Sequence, residues 1–321
     1  MENRIDEVAG PSPEPEQKTL ALIDGANFMF RSYHAMKSMG REFNAPDGTP
    51  TAALMNFANM ISKAKDITGA HALAIVFEST TKTFRDDLFE GYKANRQPTP
   101  DPIRIQMNLA RRLFPLMGVP VIWVDGFEAD DVLCAYAMGA SKAWRVAMCS
   151  ADKDLGQAVG PNAVVIDPNG WKVVDEAAVL AKFGVGPKMI PQFLALQGDS
   201  VDNIPGVDKC GPKTAAKLLN LHGSIEGIYE KLDTLTPKLK EGFIDARSSI
   251  PDLMRLTLAD LSCGMPMSPG QIHDANRNPD WTGALDLLRP LAMGRLIAKA
   301  EKGLAAQEAR AERMALGGPK P

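Results

Sequence analysis

Apolar residues gather in short blocks along the first half of the chain, and most blocks stop at an acid or a tight-turn signal. Leu20–Ile23 (LALI) runs into Asp24-Gly25, and Ala72–Phe77 (ALAIVF) ends at Glu78. Val119–Val124 (VPVIWV) leads to Gly126-Phe127-Glu128-Ala129-Asp130-Asp131, and Arg145–Cys149 (RVAMC) to Ser150-Ala151-Asp152-Lys153-Asp154. A fifth block covers Ala163–Ile166. Unalternated runs of this length, bounded by turn residues, predict strands buried on both faces. Phe28–Met39 and the apolar run Val132–Met138 predict helices between them. Alternating strands and helices predict an α/β fold with a parallel sheet flanked by helices. From about Gly186 the pattern turns helical. Pro187–Gln197 predicts one helix, Gly206 and Gly211 bracket a turn, and Pro212 opens the next helix, where proline is favoured.

In parallel sheets, ligands bind beyond the carboxyl ends of the strands. Asp24, Glu78, Glu128, Asp130, Asp131, Asp152 and Asp154 all follow a predicted strand end, so the fold brings them to one edge. Asp199 and Asp202 precede the predicted hairpin. Carboxylates crowded into a partly dry site cost on the order of several kcal/mol each, or they take up protons. Hard divalent cations relieve that cost, because Mg²⁺ and Mn²⁺ prefer oxygen ligands. Two such ions roughly 4 Å apart are a standard device for cutting phosphodiesters.

Charge changes meaning in this light. The 321 residues carry 36 basic and 39 acidic side chains, a net charge of −3 that does not suggest nucleic acid. Setting the nine acids aside leaves 36 against 30, a mildly basic remainder. Lys82–Arg112 holds seven basic and four acidic residues, and Lys82, Arg85, Tyr92, Lys93, Arg96 and Arg104 mix cationic and aromatic groups. Such a mixture suits single-stranded nucleic acid and equally a solvated amphipathic helix. The Gly-containing hairpin can offer backbone N–H groups to a phosphate, with Lys209, Lys213 and Lys217 beside it. It is a near-miss to a nucleotide-triphosphate loop, rejected because Pro212 interrupts the Gly-Lys pair and no strand precedes it. Cys134, Cys149, Cys210 and Cys263 lie far apart, which argues against a zinc site or disulfide framework and for a reducing cytoplasm. His34, His71, His222 and His273 form no ligand pattern. No apolar run is long enough to span a bilayer. The acidic, Pro-rich residues 1–17 predict a disordered extension, and 301–321 a frayed helix giving way to a flexible tail.

Taken in order, LIDGANFMFRSYHAM (22–36), KTFRDDLFEGYKANRQPTPDPI (82–103), GFEADDV (126–132), SADKDL (150–155) and GDSVDNIPGVDKCGPKTAAKLL (198–219) resemble the 5′-nuclease domain of bacterial DNA polymerase I. That domain belongs to the flap endonuclease group, with a PIN-like core. The resemblance covers about residues 18–300. It implies a core over 18–186 with an arch at about 79–105, then a helical region over 187–300 with a helix-hairpin-helix at 198–221. It implies a two-metal site built from the nine acids, holding Mg²⁺ with Mn²⁺ able to substitute. Lys93 and Arg96 would sit at the base of the arch as catalytic cations. Arg31, Arg85 and Tyr92 would contact DNA, as would Gly206, Lys209, Gly211, Lys213 and Thr214 in the hairpin, which in some relatives holds K⁺. The implied activity is structure-specific 5′–3′ hydrolysis of flapped, nicked or branched DNA in replication and repair. The implied setting is a monomer in the bacterial cytoplasm, beside a DNA polymerase. Two rival readings are a catalytically weak DNA-junction binder and a PIN-type ribonuclease. Two positions depart from the family pattern: Glu78 replaces an aspartate, and Lys209-Cys210-Gly211 replaces Gly-Ile-Gly.

Overall fold

The computed structural model describes residues 17–316, so the extension expected before Gln17 and the last five residues of the tail lie outside the described part. A six-stranded sheet in the order β3-β2-β1-β4-β5-β6 forms the centre. Its strands are β1 (Lys18–Asp24), β2 (Ala72–Val76), β3 (Val121–Ile122), β4 (Trp144–Cys149), β5 (Ala163–Asp167) and β6 (Lys172–Val174). The first five run parallel and β6 runs antiparallel to β5. Successive side chains of a strand point to opposite faces. Leu20, Leu22, Ala74, Val76, Val146 and Met148 therefore enter one core, and Ala21, Ile23, Leu73, Ile75, Ala147 and Cys149 the other. Burial on both faces explains the unalternated runs. Each fully buried Leu or Ile contributes about 1.5–3 kcal/mol.

Two strands differ from expectation. The block Val119–Val124 pairs only at Val121–Ile122, because Pro120 has no N–H to donate to the ladder. The short β3 leaves Leu73 without a strand partner on that side. Asn276 stands in, accepting from Leu73 N at 2.7 Å and donating to Leu73 O at 2.9 Å. Strand β6 is a three-residue edge reached through a turn at Pro168-Asn169-Gly170, too short to register as a period.

Helices α1 (Gly25–Ser38), α2 (Ala52–Thr68), α3 (Phe84–Leu88), α4 (Asp101–Leu116), α5 (Ala129–Gly139) and α6 (Glu176–Phe183) belong to the sheet region. Helices α7 (Ile190–Gln197) and α8 (Pro212–His222) flank the 198–211 loop. The remainder is helical: α9 (Ile225–Tyr229), α10 (Pro237–Ala246), α11 (Ile250–Thr257), α12 (Pro269–Arg277), α13 (Trp281–Leu288) and α14 (Gly294–Ala315). The frayed helix expected from 301 is a continuous helix to Ala315. Gly303 is its docking point, since a Cβ there would come within 2.3 Å of the Trp281 ring. Among the described residues, no helix is long and apolar enough to cross a membrane.

Candidate metal centre

The strand order reverses between β1 and β4, the crevice where open α/β sheets place ligands. Asp24 ends β1 and caps α1, its Oδ1 accepting from Asn27 N at 2.9 Å. Its Oδ2 accepts from Ser150 Oγ, just past β4, at 2.7 Å. The same Ser150 Oγ accepts from Asp152 N at 3.0 Å, which fixes the turn carrying Asp152. Burial, with added repulsion from Asp152 and Glu78, raises the Asp24 carboxyl to about 6. Asp130, on the first turn of α5, is pushed well above the usual carboxylate range by burial and then by Asp152 and Asp24. Asp24, Asp130 and Asp152 thus form one group of acids, with Glu78 exposed at its edge.

A second group lies beside it. One carboxylate oxygen from each of Asp154, Asp199 and Asp202 lies within 4.8 Å of the others. Asp154 is raised to about 8, by burial first and Asp152 next, so Asp152 links the two groups. The Oδ1 of Asp154 is buried and has no hydrogen-bond partner among the described residues. A buried acceptor without a donor costs about 1–3 kcal/mol. Three convergent carboxylates, one with an unsatisfied oxygen, are a donor set suited to a hard divalent cation.

Cations surround the acids. Lys93 Nζ pairs with Glu128 Oε1 at 2.6 Å, Arg96 pairs with Asp202, and Lys153 Nζ pairs with Asp199 Oδ2 at 2.8 Å. The segment bearing Lys93 is stitched to the loop bearing Asp199 and Asp202. Lys93 N donates to Asp202 O, Asn95 Nδ2 to Ser200 O and Asn203 Nδ2 to Gly91 O, all at 2.7–2.9 Å. Lys93 and Asn203 both hold φ near +55°, a strained region that these bonds maintain.

Several expected site residues serve otherwise. Asp131 is 0% exposed. Its Oδ1 accepts from Arg85 Nη2 and Asp260 N, and its Oδ2 from Arg85 Nη1 and Glu128 N. Protein donors take all its acceptor directions, so it has none for a cation. Adjacent helical residues point about 100° apart, so Asp130 meets the acids and Asp131 the interior. Arg85 is 4% exposed and cannot reach a phosphate; beyond Asp131 it donates to Leu256 O and Leu258 O. Tyr92 is buried too, its hydroxyl donating to Glu128 Oε2 at 3.0 Å. Arg31 is half-buried and spends its guanidinium on Asn169 Oδ1 at the β5–β6 turn. Ser150 and Lys153 were missed as site residues. The Ser-x-Asp and Asp-Lys-Asp spacings were the available signals.

In the hairpin, Gly206 packs on the end of α7, where a Cβ would come within 2.5 Å of Gln197 C and Gly198 N. Gly211 caps α8 at φ −72°, which any residue adopts. The left-handed position is Lys209, at φ +61°. Lys209, Lys213, Thr214 and Lys217 line one groove with Lys238.

Family comparisons agree with this architecture. Residues 19–184 match the 5′–3′ exonuclease N-terminal resolvase-like domain, and residues 185–280 the 5′–3′ exonuclease C-terminal SAM fold. A 5′–3′ exonuclease of Aquifex aeolicus is 37% identical over 228 residues, covering 70% of this chain and 78% of that protein. DNA polymerase I of Rhizobium leguminosarum is 34% identical over 293 residues, covering 88% of this chain but only 28% of the polymerase. Among solved structures, the bacteriophage T5 D15 flap endonuclease in a complex with DNA and metal ions shares the fold. Its TM-score is 0.62 at 17% identity, over 86% of this chain and 100% of that one. The chain belongs to the 5′–3′ exonuclease family.

Proposed function

We propose that the protein is a structure-specific 5′-nuclease that hydrolyses DNA phosphodiesters with two divalent cations. The observation that carries this reading is the pair of adjoining acid groups at the β1–β4 crevice, one of them with the unsatisfied Asp154 Oδ1. Asp24, Asp130 and Asp152 would hold one cation, with Glu78 and Glu128 at the rim. Asp154, Asp199 and Asp202 would hold the other. Bound Mg²⁺, or Mn²⁺ in its place, would lower the pKa of water and act as a Lewis acid toward the phosphate.

The protein's own groups do the rest. Lys93 and Arg96 leave their carboxylate partners to neutralise charge that develops on the scissile phosphate. Tyr92 holds Glu128 in place, and Ser150 fixes Asp24 against the Asp152 turn. The basic groove at Lys209–Lys217 binds duplex backbone, so affinity falls steeply with salt. The DNA complex of the T5 relative supports DNA as substrate. The partial match to DNA polymerase I supports a polymerase as a working partner.

The test is cleavage of a 5′-labelled flap duplex in Mg²⁺ and in Mn²⁺, with Asp130→Ala as control. Metal-dependent cutting near the junction, lost in the variant, is expected. Tight binding with no product in either metal would overturn the nuclease reading and leave a junction-binding protein.

A further inference from the structure

Arg111 and Trp123 stand beside the acids, yet the chemistry above gives them no part. Trp123 follows β3 and is 49% exposed, although large aromatic side chains bury most of their surface in a folded protein. Its indole lies 5.9 Å from the Arg111 guanidinium, which also covers the Phe77 ring at 5.0 Å. Arg111 Nη2 donates to the backbone O of Glu78 at 2.7 Å, which ties it to the rim of the acid cluster. Its Nε is buried without a partner. Lys93, Arg96 and Lys153 each pair with a carboxylate, whereas Arg111 has none within 4.0 Å among the described residues.

The flanks of this pair are rigid. Phe77 N donates to Ile122 O at 2.9 Å, which sets Trp123 one residue beyond the β2–β3 ladder. Ser79 Oγ donates to Asp125 Oδ1 at 2.9 Å, and Gly126 N to Thr81 Oγ1 at 2.8 Å. The loops after β2 and β3 are therefore cross-tied on both sides of the indole. A half-exposed aromatic plane held by an unpaired cation has the chemistry to receive an unpaired nucleotide: the ring stacks on the base and the guanidinium meets the phosphate.

We infer that Arg111 and Trp123 form a stacking platform for an unpaired nucleotide next to the scissile phosphate, at the Glu78 rim of the cluster. This inference rests on the nuclease reading and deepens it, by assigning the chain a contact to the single-stranded part of its substrate. The platform sets which nucleotide is held at the rim, and Trp123 is a binding residue, not a catalytic one.

The experiment is a two-by-two comparison of affinity, measured in Ca²⁺ by anisotropy on a flap duplex. Wild type and Trp123→Ala are each tested against a natural arm and an arm carrying abasic residues at the first unpaired positions. Stacking predicts that wild type loses about tenfold in affinity on the abasic arm. Trp123→Ala should bind the natural arm about tenfold more weakly and show no further loss on the abasic arm, and Trp123→Phe should retain most of the affinity. Additive losses, with the variant weaker than wild type by the same factor on the natural and on the abasic arm, or no loss for the variant on the natural arm, would overturn the platform while leaving the nuclease reading intact. Failure of wild type to bind or cut any DNA would overturn both.

Discussion

Arg85 and Asp131 form a buried two-pronged ion pair, with Nη1 to Oδ2 at 2.8 Å and Nη2 to Oδ1 at 2.7 Å. The pair ties α3 to the first turn of α5. Through Leu256 O and Leu258 O it also ties both to the end of α11. Removing one partner leaves a buried charge unpaired, which typically costs 3–5 kcal/mol. Arg85→Met should therefore lower the unfolding free energy by about 3–5 kcal/mol. The double change Arg85→Met/Asp131→Leu should recover most of that loss in urea denaturation. A single variant as stable as wild type would mean the pair is no anchor.

The hairpin offers a gain in stability. Lys209 sits at φ +61°, where an L-residue with a Cβ pays about 1–2 kcal/mol. Glycine removes that strain but gives back about 0.5–1 kcal/mol of chain entropy. Lys209→Gly should thus stabilise the fold by about 0.5–1 kcal/mol, read as a higher urea midpoint at unchanged slope. Destabilisation would show that the Lys209 side chain holds the turn by other contacts.

Much of the fold was legible in the chain, because strands buried on both faces leave apolar runs that end where the sheet ends. Asp24, Asp152 and Asp154 could be placed from that alone. Asp130 and Asp131 could not be told apart, since adjacency says nothing about which one faces the crevice and which meets a buried arginine 46 residues away in sequence. Arg85 and Tyr92, which the resemblance implied as DNA contacts, are buried in the fold, and a polar stretch of sequence does not disclose that burial. Lys209 marks the converse case, where a residue with a Cβ holds a backbone conformation that favours glycine, which the side chain alone does not announce.

Protons and divalent cations should compete for the acids. Asp24 at about 6 and Asp154 at about 8 both lie above the ordinary value of 3.8, so between these limits the folded state binds more protons than the unfolded state. Stability then falls as pH rises. In chelator, the urea midpoint should decline from about pH 4 upward, through the Asp24, Asp154 and Asp130 titrations. With Mg²⁺ the decline should shrink or reverse, because binding favours the deprotonated acids. A midpoint that rises with pH in chelator would contradict burial as the cause of the raised values.

Lys153 lies between two acids of the cluster and pairs with Asp199 Oδ2 at 2.8 Å, with its side chain 31% exposed. An ammonium group on a carboxylate needed for a divalent cation must be displaced, or must share it, when the cation binds. A partly exposed pair of this kind is worth about 0.2–1 kcal/mol, so its removal alters cation affinity by a small factor. Lys153→Met removes both the competitor and a positive charge that repels the cation. Its Mg²⁺ affinity should therefore rise about two- to fivefold, measured by calorimetric titration in the absence of DNA. Lys153→Arg, which keeps the charge, should stay near wild type. If Lys153→Met instead bound Mg²⁺ more weakly, the lysine would be holding Asp199 in its ligating orientation, and Lys153→Arg would then separate charge from positioning.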